Sequence, residues 1–213
     1  MYNVDHTNLQ GKVFKYCLVY LVLTSFQIYL TSYEYLNLLS VPIEKRQSIS
    51  ALSIAHHSMW NFLSMVLHLI MGLQIFRAFQ SYLWLPVASL AVLHFSIQRK
   101  MMLEVWKAQN YQIFMVYDVY FNSERNRCQS KYYFFVFMMV IFMYQLFTVD
   151  GFLVAFFGTL WLPQILQYRK HLKDHSYYRL SPGYVLFTSL HSAFFPSYMR
   201  LCPVNAFQTE PHP

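Results

Sequence analysis

Apolar runs and short polar breaks alternate along this chain. Six runs stand out, at 13–35, 51–76, 81–97, 132–149, 151–167 and 183–202. Most reach the roughly 20 residues that a helix needs to cross a bilayer. They are continuous and not of alternating polarity, which predicts helices and not barrel strands. The fifth run is short, and Asp150–Gly151 lies between it and the fourth, so a tight turn and a helical hairpin are expected there. The pattern predicts an all-α integral membrane protein, a bundle of about six transmembrane helices. On this reading a short non-cytosolic N-terminus (1–12) precedes a membrane domain (13–202), and a tail (203–213) follows. No internal repeat is evident.

Composition sharpens that picture. Of 213 residues 56% are hydrophobic, 20% aromatic and 12% charged. Soluble domains carry about 25% charged residues. A net charge of +7 would suggest nucleic acid in a soluble protein. Here the basic residues lie between apolar runs, so topology accounts for them and no nucleic-acid partner is expected. The connections after the first, third and fifth runs carry Lys45, Arg46, Arg99, Lys100, Lys107, Arg125, Arg127, Lys131, Arg169, Lys170, Lys173 and Arg179. The opposite side has only Lys12, Lys15, Arg77 and Arg200. The excess places the first group in the cytosol, or in the matrix of a mitochondrion, with both termini on the other side.

The longest connection, 101–131, mixes aromatics with charge. The third helix is expected to run past the membrane to about Trp106. The rest is expected to lie as a basic loop at the interface, where its cations can meet anionic lipid headgroups. Cys17, Cys128 and Cys202 are scattered and odd in number, so neither a disulfide framework nor a metal cluster is expected. The run from Val13 lacks a small-residue cleavage site, so no signal peptide is expected.

The second run holds a polar stripe. His57, Asn61, Ser64 and His68 are spaced 4, 3 and 4 and share one helical face, which in a bilayer should turn toward other helices. A haem or metal would need a further ligand, with His94 and His191 as candidates. His57 and His68 are about 16 Å apart along the helix, too far to share an ion. Interhelical hydrogen bonds are the preferred reading, and no metal or other cofactor is expected. Glu34 and Glu104 are expected to reach water near helix ends. No nucleophile elbow or phosphate loop is present, so no catalysis is expected.

Pro163 and Gln164 close the fifth run. A proline frees a carbonyl one turn back and bends a helix, and a glutamine can satisfy that carbonyl. Pro–Gln resembles the hinge dipeptide of PQ-loop transporters, which carry two copies in two three-helix halves. This chain has one, because Pro86 and Pro196 lack the glutamine. A static bend is expected.

A second resemblance covers more of the chain. "GKVFKYCLVYLVLTSFQIYL", with Gln27, "MVLHLIMG", with His68 and Gly72, "EVWKAQN", with Trp106 and Lys107, and "LWLPQILQ", with Pro163 and Gln164, follow in order. "GYVLFTSLHSAFFPSYMRLCPVN" supplies Pro196, Tyr198, Cys202, Pro203 and Asn205. Together they resemble the membrane region of the Tul/Dsc family of transmembrane RING ubiquitin ligases of the Golgi and endosomes. Family members add a luminal domain and a zinc-binding RING, and these 213 residues contain neither. The resemblance therefore implies a non-catalytic membrane scaffold that assembles with other membrane subunits. Two alternatives are an accessory subunit of a mitochondrial respiratory complex and a small PQ-loop-like transporter. The expected membrane is Golgi, endosomal or ER, or the mitochondrial inner membrane.

Overall fold

Helix α1 (His6–Ser40) sets the pattern of the fold. Tyr16, Tyr20, Thr24, Gln27, Thr31 and Glu34 are buried along it, while Phe14, Leu18, Val22, Phe26, Tyr29, Tyr33 and Leu36 are exposed. Steps of three and four put each set on one face. Polar groups turn inward and apolar groups outward, the reverse of a soluble helix. Such a helix suits a hydrocarbon surround, because polar side chains in a membrane find their partners on neighbouring helices.

In this computed structural model residues 6–75, 80–111, 120–146, 159–172 and 177–201 are described. Every regular element among them is helical. Arg46, at the end of the short α2 (Ile43–Arg46), folds back on the end of α1. Its Nε donates to the Val41 carbonyl at 2.8 Å and its Nη2 to the Leu39 carbonyl at 2.7 Å. These are carbonyls that the end of a helix leaves without partners. Ser50 caps α3 (Ala51–Ile70), its hydroxyl accepting the Ser53 N–H at 3.2 Å. A π turn, Met71–Ile75, extends α3.

Helix α4 (Gln80–Ala91), a π segment (Val92–Gln98) and α5 (Arg99–Gln109) follow one another without a break. Pro86 lies inside α4, where it cannot donate to the turn before it, and the wider turns begin six residues later. The remaining helices are α6 (Tyr120–Leu146), α7 (Leu162–His171) and α8 (Pro182–Leu201). Helix α3 is the hub and touches α4 through α8, while α1 packs on α4 and α8.

The interior has apolar ends and a polar middle. One apolar cluster gathers Tyr16, Tyr20, Trp60, Leu63, Leu83 and Phe195. The other gathers Leu38, Ile54, Met101, Val105, Tyr132 and Tyr184. On α1, Thr24, Gln27 and Thr31 fall between them; on α8, Thr188, His191 and Ser192 do.

The expected six crossings are narrowed by these helices. Two segments among the described residues, Gln10–Ser40 and Ser81–Gln109, are long and apolar enough to cross a membrane. Helix α3 has the length, but three histidines, Asn61 and three serines lower its mean hydropathy. Helix α7 has only ten residues. The third helix continues to Gln109, three residues beyond the expected end. The basic loop 101–131 is also corrected. Its last twelve residues are the first part of α6, where Glu124 and Arg127 pair at 3.5 Å one turn apart. The turn at Asp150–Gly151 and the tail 203–213 lie outside the described residues.

Candidate functional site: a buried polar seam and a glutamine clamp

The stripe on α3 faces inward, with His57, Asn61, Ser64 and His68 all buried. Each stripe histidine meets a hydroxyl from another helix, and so does each candidate partner. His68 Nε2 lies 2.6 Å from the Tyr16 hydroxyl, and His68 Nδ1 lies 2.6 Å from the Ser64 carbonyl. A carbonyl can only accept, so Nδ1 carries the proton and Tyr16 donates to Nε2. His57 Nδ1 is 3.5 Å from Ser192 Oγ, and its ring lies 4.4 Å from Trp161.

Among the described residues, the hydrogen bonds of His94 and His191 go to Ser58 and Thr24 and not to the stripe histidines. His94 Nδ1 is 2.9 Å from Ser58 Oγ, which also accepts from the Tyr132 hydroxyl at 2.9 Å. His191 Nε2 is 3.1 Å from Thr24 Oγ1. The Thr24 hydroxyl donates to the Tyr20 carbonyl at 2.8 Å, so His191 must be the donor in their contact. Asn61 Nδ2 donates to Gln98 Oε1 at 3.1 Å.

Helix α1 supplies the other side of this seam. Gln27 Nε2 donates to Thr188 Oγ1 at 2.8 Å and to Thr31 Oγ1 at 3.1 Å. From Tyr16 to Glu34 the inward residues span about 27 Å of helix, close to the thickness of a bilayer's hydrocarbon core. Buried atoms on the seam have spare bonding capacity: Gln27 Oε1, His57 Nε2, Asn61 Oδ1, His94 Nε2, Gln98 Nε2 and His191 Nδ1. Buried polar atoms of this kind are where ordered water is held.

Glu34 departs from the sequence reading. It is fully buried and does not reach water. Helix α1 continues six residues past it, and residues 177–181 fold over its carboxylate. The Tyr178 hydroxyl donates to Oε1 at 2.7 Å and the Ser181 N–H to Oε2 at 3.4 Å. Burial pushes the Tyr178 hydroxyl above the usual tyrosine range, and its bond to Glu34 adds to the rise.

Pro163 and Gln164 also act differently from expectation. A turn at Leu160–Trp161 precedes α7, and Pro163 stands in the first turn of that helix, where no N–H is needed. The break is a helix start and not a bent helix end. Gln164 does not serve a carbonyl freed by the proline. Its Oε1 accepts the Ser50 N–H at 2.8 Å, and its Nε2 donates to the Ser48 carbonyl at 3.1 Å.

Two further glutamines bind the same loop. Gln167 Nε2 donates to the Gln47 carbonyl at 2.7 Å, and Gln109 Nε2 to the Ile49 carbonyl at 2.6 Å. Three successive carbonyls thus accept from glutamine side chains of α5 and α7. Ser53 Oγ completes the joint by donating to the Leu160 carbonyl at 2.8 Å. A polar cavity of about 270 Å³ lined by Gln47, Gln109, Gln167, Lys170 and His171 adjoins it. Of the remaining motif residues, Pro196 is buried in α8, and the Tyr198 ring lies 4.7 Å from that of Tyr16, tilted by 38°. Cys202, Pro203 and Asn205 lie outside the described residues.

Single residues do not reveal the α1 side of the seam or the clamp. The 4, 4, 3, 4, 3 spacing of Tyr16, Tyr20, Thr24, Gln27, Thr31 and Glu34 is a signal that could have revealed the first. The clamp's acceptors are backbone carbonyls, which leave no mark in a sequence.

An all-helical membrane domain with its polar groups turned inward is the class of protein these features define. A family model described as transmembrane E3 ligase/DUF2921 transmembrane domain matches residues 5–213. The chain belongs to this family, in agreement with its resemblance to the Tul/Dsc membrane region. No curated protein and no solved structure matches it.

Proposed function

We propose that this chain is a non-catalytic, membrane-embedded scaffold, the six-crossing core on which a ubiquitin-ligase-type membrane assembly is built. The family match over residues 5–213 is the observation that carries this reading. The geometry supports a static role. The Pro–Gln dipeptide of α7 is engaged in a clamp, and seam side chains bond from helix to helix.

The partners are other membrane subunits, and α6 offers them a surface. Phe134, Phe135, Phe137, Met138 and Ile141 are all exposed on it. The membrane is an endomembrane of the Golgi, endosome or ER, with basic loops in the cytosol. The test is affinity purification of the full chain from solubilised membranes, followed by cross-linking mass spectrometry. Recovery of ubiquitin-ligase components, with cross-links near α6, is the expected result. Recovery of respiratory-chain subunits instead would move the protein to the mitochondrial inner membrane. Saturable solute uptake by vesicles holding the chain alone would make it a transporter.

A further inference from the structure

Between α7 and α8 lies a groove of about 500 Å³. That is within the range of sites that hold a small ligand, about 300–1,000 Å³. Ile165, Val185 and Leu186 form its walls, the Trp161–Ser189 hydrogen bond of 2.7 Å marks one end, and Tyr168, Arg179 and Pro182 mark the other. From Pro182 to Ser189 the helix rises about 10 Å. Ile165 and Leu186 of the groove's walls are exposed, and the same two helices carry further exposed leucines at Leu162, Leu166 and Leu190.

The Arg179 end is polar and held in place. Tyr168 Oη accepts the Leu180 N–H at 2.9 Å, so the residue after Arg179 is tied to α7. Arg179 is exposed and makes no ion pair with a carboxylate among the described residues. No carboxylate lines the groove. An apolar groove that ends at an exposed cation beside a tyrosine has the chemistry of a lipid site at the membrane interface.

We propose that this groove binds one anionic glycerophospholipid. The first part of an acyl chain lies along Ile165, Val185 and Leu186, and the headgroup phosphate and its additional negative charge meet Arg179. The site rests on the chain lying in a membrane and is independent of the scaffold role and its partners.

Native mass spectrometry of the detergent-purified full chain tests it. Dioleoyl phosphatidylserine and dioleoyl phosphatidylcholine serve as probes, with identical chains and different headgroup charge. The expected result is one retained phosphatidylserine and a preference of about fivefold over phosphatidylcholine, the worth of one basic side chain at an anionic headgroup. Arg179→Gln should abolish the preference, and Leu186→Trp should lower retention of both lipids by filling the groove. Arg169→Gln, an exposed cation of α7 outside the groove, should change neither. Equal retention of the two lipids by the unaltered chain would overturn the proposal. So would a preference that survives Arg179→Gln, or one that Arg169→Gln removes to the same extent.

Discussion

Gln164 and Ser50 stand 114 positions apart, yet the side-chain oxygen of one accepts the backbone N–H of the other at 2.8 Å. Ser50 is also the residue that caps α3. The start of the central helix is therefore fixed by a side chain from the far part of the sequence. This makes the Pro–Gln pair a joint between two loops. The proline begins a helix, and the glutamine positioned by that start does the fastening.

Gln164→Leu should leave the Ser50 N–H and the Ser48 carbonyl buried without partners. Each such group costs about 1–3 kcal/mol. Pro163→Ala should change stability by less than about 1 kcal/mol, because the first turn of a helix does not use that N–H. Thermal unfolding in detergent compares the two. Equal losses from both substitutions would mean that Pro163 carries the joint after all.

The Tyr16–His68 bond of 2.6 Å crosses between α1 and α3 inside the seam. His68→Leu and Tyr16→Phe should each cost about 0.6–2 kcal/mol, the range for a hydrogen bond between membrane helices. The double variant should cost less than the sum of the two, since one bond is lost in all three proteins. Additive losses would show that the two residues stabilise the bundle separately.

Alkaline pH should weaken the contact over Glu34. The folded Tyr178 hydroxyl keeps its proton beyond the usual value of 10.0, chiefly through burial and then through Glu34. Stability from this group is fully present below pH 10.0, where the unfolded tyrosine is still protonated. It is lost as pH rises above that value through the folded one. The melting temperature should fall from about pH 10 upward, and Tyr178→Phe should reduce the slope of that fall.

Topology can be read from Cys128, which is half-buried in the basic part of α6. A membrane-impermeant maleimide should reach it from the side opposite a C-terminal tag. Burial pushes its thiol up, so labelling should speed up as the medium is made more alkaline. Labelling from the same side as the tag would contradict six crossings.

The all-helical class of the fold was legible because long continuous apolar runs answer to a bulk property of a bilayer, its thickness. The inward turn of His57, Asn61, Ser64 and His68 followed from helical spacing alone. Glu34 was misread because proximity to a helix end says nothing about a distant segment, here 177–181, folding over it. Residues 120–131 looked like a loop because charge was taken to mean exposure at the membrane surface. Glu124, Arg125, Arg127 and Lys131 are compatible with a helix, and α6 continues through them. Gln164 was singled out, but its partners were not, because any residue supplies a carbonyl and an N–H.

The clamp also sets an order of events while the chain is being made. The carbonyls of 47–49 emerge early, but Gln109 follows Ile49 by 60 positions, Gln164 follows Ser48 by 116, and Gln167 follows Gln47 by 120. A ribosome adding about 5–20 residues each second delivers the last of these some 6–24 s after the loop. During that interval the loop's carbonyls must be satisfied by water at the membrane surface. This end of the bundle thus stays open to a chaperone or a partner subunit until α7 has been synthesised, and the contacts of α8, such as His191 with Thr24 and Thr188 with Gln27, close later still.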